Sequence, residues 1–226
     1  MPDTHHPTKV ARSGMIYTGT LILQKVLSFT YFSFIASALG PANLGRYTFV
    51  LSFAAFFSLV VDFGFVNMAI RRFAQLEKAK EDYFRTLFTT RLFLAVIGAA
   101  LLFLTAGFLG YDKNLLTLLS ITALIMVMDA FTAFFYTVFR ARQNLFYESL
   151  GTIVFQIVIV AAGLFTLART HDLRRLLLVI ALGSGWHVIY SLWLAIRRAH
   201  FSIKLKFNLS QIKAVLVAAW PFFLAA

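Results

Sequence analysis

The sequence contains no cysteine, which excludes a disulfide framework, a thiol nucleophile and a cysteine-ligated metal, and leaves redox chemistry without its usual side chain. Acids are scarce too, with 9 Asp and Glu against 21 Lys and Arg. Charged residues of both signs make up only 13% of the 226 residues, too little polar surface to coat a soluble globule of that size. There is no P-loop, no HExxH, no glycine-rich nucleotide fingerprint and no soluble segment large enough for a nucleotide-sugar site, so an enzyme is not expected. Gly183-Ser184-Gly185 lacks the GxSxG spacing of a nucleophile elbow and lies inside an apolar run, where close helix packing explains it better.

Hydrophobic residues, by contrast, make up 60% of the chain and aromatics 16%, and the mean hydropathy is +0.81. The apolar residues fall in blocks of roughly 20 or more, the length that crosses a ~30 Å hydrocarbon core at 1.5 Å per residue, whereas buried strands are much shorter. The pattern predicts helices over Gly14 to Leu39, Arg46 to Ile70, Phe84 to Leu109, Leu115 to Phe139, Ser149 to Ala168 and Leu176 to Ile196, with another starting near Ile212. The fold class is therefore all-α, a polytopic membrane bundle of six transmembrane helices and the start of a seventh. The first block is far longer than the ~7–15 apolar residues of a signal peptide. The expected organisation is an amino-terminal segment over 1–13, a six-helix lobe over 14–198, a basic linker over 199–211 and the start of the seventh helix over 212–226.

The net charge of +12 comes from cations placed between the apolar spans, where the positive-inside rule accounts for them without nucleic acid. With a cytoplasmic amino terminus, fifteen Lys and Arg fall on the inner side, Arg91 counted among them from within its span, and five outside (Arg46, Lys113, Arg169, Arg174 and Arg175), with Lys25 left within a helix. That asymmetry predicts a multi-pass protein of the cytoplasmic (inner) membrane with its amino terminus inside. The stretch from Gln75 to Asp82 reads as a solvated turn, and FSIKLKFNL at 201–209 as a linker, a strand or an amphipathic stretch on the anionic inner leaflet.

Charge inside a span costs about 2.5–3.5 kcal/mol on insertion scales, so the exceptions are informative. They are Lys25, Asp62, Arg91, Asp129 and His187, with Gln24 and Gln156 as neutral companions. Counted from the cytoplasmic end of each helix, all five lie roughly 10–16 Å deep, in one slab near the midplane. In the first helix, Tyr17, Thr20, Gln24, Ser28 and Tyr31 recur at three- and four-residue intervals beside Lys25, an inward-facing polar stripe. A substrate site is expected to use Lys25, Gln24, Arg91, Tyr17 and Ser28. Asp62, Asp129 and His187 are the candidates for a coupling ion, H+ or Na+; no other cofactor and no metal centre is expected. The competing use of these charges is structural, with Lys25 paired to Asp62 or Asp129, Arg91 snorkelling to the headgroups and His187 packed beside Trp186.

Leu39 to Phe49 reads LGPANLGRYTF, Asp62-Phe63-Gly64 is followed by Ala69-Ile70-Arg71-Arg72-Phe73-Ala74, and Trp220-Pro221-Phe222 follows the basic linker. These segments resemble polysaccharide and O-antigen flippases of the multidrug, oligosaccharidyl-lipid and polysaccharide exporter superfamily. The resemblance implies two six-helix lobes rocking about a central cavity, a polyprenyl-diphosphate-linked oligosaccharide as cargo, and Lys25 first and Arg91 second as partners of the diphosphate. Members usually carry about twelve to fourteen helices, so this chain is expected to be a first lobe, completed by a carboxy-terminal half or a second chain. The lipid bilayer and polysaccharide polymerases or glycosyltransferases are the other expected partners, and nucleic acid is not. Rival readings are a drug or cation antiporter of the same superfamily, a non-transporting scaffold of a polysaccharide-synthesis complex and, third, an integral-membrane transferase.

Overall fold

The computed structural model describes residues 7–75, 80–205 and 207–224. The described residues form helices joined by short connections: α1 (Pro7–Asp62), α2 (Phe65–Gln75), α3 (Lys80–Phe108), α4 (Lys113–Ala141), α5 (Phe146–Arg169), α6 (Leu173–Arg197) and α7 (Leu209–Leu224). Among the described residues five helical stretches are long and apolar enough to cross a membrane, the first of them Gly14–Gln75. The turn predicted after Leu39 is confined to Gly40, whose backbone alone leaves the helical region (φ 71, ψ 168). Pro41 follows at the first position of the new helical arm, where its missing N–H costs nothing.

α1 folds back at this point. Tyr17 and Asp62 would stand about 67 Å apart along a straight helix, yet Tyr17 bonds to Glu148 at 3.3 Å, and both Tyr17 and Asp62 lie within electrostatic reach of Arg140, the ion-pair partner of Glu148. The two arms, residues 7–39 and 41–62, therefore each span the bundle. The first helical turn after Gly40, from Ala42 to Arg46, the α3–α4 connection and the α5–α6 connection gather at one end, where they line adjoining cavities. Asp112 and Asp172 cap α4 and α6 there, accepting from Leu115 N and Arg174 N, which satisfies one orphan donor of each helix.

α4 is the central element, packed against α1, α2, α3 and α6, while α5 lies between α1 and α6. Gly183 sits against Ile159 of α5, so the Gly-Ser-Gly run serves close helix approach. The apolar core is divided along the bundle axis. Near the Gly40 end it gathers Ile35, Val50, Leu102, Leu119 and Leu176; near the opposite end it gathers Phe65, Phe84, Phe134, Leu194 and Val215.

Several boundaries shift from those expected. The second predicted helix breaks at Phe63-Gly64, both at positive φ, and α7 starts at Leu209 rather than near Ile212. The segment at 201–209 is neither strand nor helix where described before Asn208; its Phe201 is buried and stacks on Phe84 at 4.5 Å. The expected turn at 75–82 falls largely on residues 76–79, outside the described residues.

Candidate functional site

The helix break after Asp62 sits at the join between the two apolar cores, with Val61 in one and Phe65 in the other. Ending a helix inside a bilayer leaves carbonyl oxygens without N–H partners and without water to replace them. Arg91, reaching across from α3, fills that gap. Its Nη1 donates to the Val61 carbonyl at 2.8 Å and to Asp62 Oδ1 at 3.2 Å, while Nε and Nη2 both donate to the Ala130 carbonyl of α4, at 3.2 and 2.9 Å. The guanidinium also lies 5.3 Å from the Phe65 ring centroid. Four of its five N–H groups are thus engaged, and the residue is 1% exposed. Arg91 points inward and ties three helices together; it does not snorkel, and it rather than Lys25 is the partner of Asp62.

Beside this clamp is a cavity of about 340 Å³ lined by Ala54, Ser58, Asp62, Arg91, Thr122 and Asp129, with apolar residues of α1 and α4. The structure therefore brings together Asp62, Arg91 and Asp129 of the slab expected from depth. Asp62 keeps 41% of its side chain exposed despite its ion pair. Asp129 has no ion pair among the described residues; it lies near the fully buried Ser184 of α6. The cavity offers one carboxylate partly neutralised by Arg91, a second that is not, and the hydroxyls of Ser58 and Thr122, a lining able to hold a cation or to bond sugar hydroxyls.

The other expected site residues lie elsewhere. Lys25 is exposed, outside this lining, and makes no hydrogen bond or ion pair among the described residues. The stripe beside it turns toward the bundle: Thr20 and Tyr31 are buried, Gln24 and Ser28 half-buried, and the Tyr31 hydroxyl closes on Gly163 of α5. Tyr17 belongs to a different cluster, in which its hydroxyl donates to Glu148 while Arg140 Nε donates to the other carboxylate oxygen at 2.8 Å. Glu148 is only 4% exposed, a buried acid that hydropathy reading left at the edge of a helix. His187 is packed in α6, its Nε2 3.1 Å from the Tyr136 hydroxyl and its ring stacked on Phe155 at 4.8 Å. Buried Gln156 shares α5 with that phenylalanine.

Among the described residues no group of three or more His, Asp or Glu is placed to hold a metal ion. Residues 10–226 match the family model described as "Polysaccharide biosynthesis protein". No curated protein and no solved structure matches the chain.

Proposed function

Because the chain belongs to the polysaccharide biosynthesis protein family, we propose that it works in moving a polyprenyl-diphosphate-linked oligosaccharide across the cytoplasmic membrane, by alternating access and together with a second lobe. The role is transport rather than catalysis. The observation that carries this reading is the cavity beside the α1–α2 break, which holds Asp62, Arg91, Asp129, Ser58 and Thr122 within a bundle of membrane-crossing helices. A polar cavity at a broken helix is where many transporters built from internal structural repeats bind their cargo.

In this reading the roles divide by what each group still has free. Arg91 has one N–H left and chiefly holds the break in shape, so the diphosphate falls to Lys25, outside that lining and uncommitted among the described residues, and the cavity is left to the sugar hydroxyls. Asp129 is the foremost candidate for the coupling ion, H+ or Na+, with Asp62 second. His187, closed in by Tyr136 and Phe155, stands apart from that task. The basic end of the bundle faces the cytoplasm.

One observation favours a second reading: among the described residues the only cation on the cavity lining is the one already bonded to Asp62 and two carbonyls, so an incoming cation meets a net acidic wall, as a drug or cation antiporter requires. Translocation of a lipid-linked oligosaccharide in proteoliposomes, with a family-like second lobe present, separates the two. Transport that falls at least tenfold with Lys25→Ala and is retained by Lys25→Arg supports the flippase; cation exchange abolished by Asp129→Asn, with no movement of the glycolipid, supports the antiporter.

A further inference from the structure

Toward the Gly40 end from that cavity, the bundle carries two adjoining hollows, whose lining at Phe49 and Leu118 begins about one helical turn from Leu51 and Thr122 of the cavity. One, of about 330 Å³, is lined by Asn43, Arg46, Asn114, Thr117, His171 and Arg174, with neighbours. The other, of about 510 Å³, has Phe49 and Tyr111 as its aromatic wall and shares Arg46, Asn114 and Leu118 with the first. Arg46 stands where the two meet, so together they form one groove, polar at one end and aromatic at the other.

Two acids belong to the lining, Asp112 in the larger hollow and Asp172 in the smaller, and both are engaged with the starts of their own helices. Asp112 accepts from Leu115 N at 3.2 Å, and Asp172 accepts from Arg174 N at 2.9 Å and pairs with Arg175 at 3.5 Å. The guanidinium groups of Arg46 and Arg174 and the amides of Asn43 and Asn114 make no hydrogen bond or ion pair among the described residues. Beside those two engaged carboxylates the groove presents two free planar cations and two free amides, and the helices beginning at Pro41, Lys113 and Leu173 add their positive ends to the same region. A guanidinium fork suits a carboxylate, amides suit ring hydroxyls, and an aromatic wall suits the apolar face of a pyranose. A free phosphate would leave the 510 Å³ aromatic part empty.

We propose that this groove binds a carboxylated oligosaccharide, at a site separate from the intramembrane cavity. Choosing a saccharide among organic anions rests on the transport reading above; the anion-binding groove does not.

The test is calorimetric titration of the full chain in detergent micelles with tetragalacturonate, maltotetraose and inorganic phosphate. Tetragalacturonate is expected to bind, to weaken as salt rises, and to lose about tenfold or more in affinity with Arg46→Ala or Arg174→Ala. Both arginines are exposed, so helical content by circular dichroism should be unchanged. Arg169→Ala is the control, since that guanidinium lies over the Phe165 ring at 5.3 Å and outside the groove; it should change affinity by less than about twofold. Equal binding of maltotetraose, equal affinity for phosphate, equal weakening by Arg169→Ala, or no binding of tetragalacturonate would each overturn the proposal. The groove and the transport reading fail separately, because binding in micelles without translocation sinks only the latter, and translocation without binding only the former.

Discussion

Arg91 is a charged residue whose surroundings make it a strut. A buried guanidinium serving two carbonyls and a carboxylate is costly to disrupt, because its removal leaves oxygens unpaired at membrane depth. Arg91→Ala should lower unfolding stability by about 3–5 kcal/mol, and Arg91→Lys should recover only part of it, since an ammonium cannot reach the Val61 and Ala130 carbonyls with a planar fork. Asp62→Asn should cost about 1 kcal/mol or less, because that side chain is 41% exposed and the carbonyls keep their donor. Thermal and steric-trap unfolding in micelles measures all three; an Arg91→Ala protein as stable as the parent would return Arg91 to the substrate. The buried Glu148 invites the same test. Glu148→Ala strands Arg140 and the Tyr17 hydroxyl and should destabilise by about 3 kcal/mol, whereas Glu148→Ala with Arg140→Met should cost less than the single change. Depth along a helix is countable from sequence, which is why Asp62, Arg91 and Asp129 could be placed in one layer. Rotation about the helix axis is not, and it leaves Lys25 and His187 at a similar expected depth but away from the cavity. Glu148 escaped notice because its partner Arg140 lies on the other helix of a hairpin, where no spacing within a single helix joins them.

At the scale of elements, two glycines make the chain's breaks, for different reasons. Gly40 adopts φ 71, ψ 168 with no other atom near the place of a Cβ, so Gly40→Ala meets conformational strain alone, about 1–3 kcal/mol. Gly64 combines positive φ with close approach: a Cβ there would run into the backbone of α7 at Ala219, Phe222 and Phe223. Gly64→Ala should therefore cost more than Gly40→Ala and should release α7, which is held at Phe63 by stacking on Phe223 at 4.8 Å and farther down by the Thr86 hydroxyl donating to Gln211 Oε1 at 3.0 Å. Limited proteolysis between 197 and 209 reports that release; equal effects of the two substitutions would remove the steric part of the argument. Hydropathy made the long spans legible, since lipid as solvent dictates their length. The break at Phe63-Gly64 was hidden, because one glycine in an apolar run is tolerated in many helices and here the deciding neighbour is the backbone of an element some 155 residues later. The turn at Gly40 was foreseen but overestimated, as Pro41 restarts the helix at once.

The whole molecule is a bundle with two unlike ends. Gly40, Asp112 and Asp172 mark one, which carries Arg46, Lys113, Arg169, Arg174 and Arg175; the other carries Arg71, Arg72, Arg140, Arg142, Arg197 and Arg198 among a larger set. Positive charge is retained on the cytoplasmic side during insertion, so the richer end is expected to face inward and the groove around Arg46 outward, which on the proposed transport reading is where a glycan would arrive. The absence of cysteine makes this directly testable without background labelling. Leu109→Cys and Asn144→Cys place single thiols at opposite ends, both at exposed positions in short connections and remote from the Arg91 clamp. In intact cells a membrane-impermeant maleimide should label the thiol at 109 and leave the one at 144 unlabelled until the membrane is opened. The opposite pattern would invert the bundle, place the groove on the cytoplasmic side, and recast it as a site of glycan entry; labelling of both in sealed cells would mean that one end does not lie across a membrane from the other.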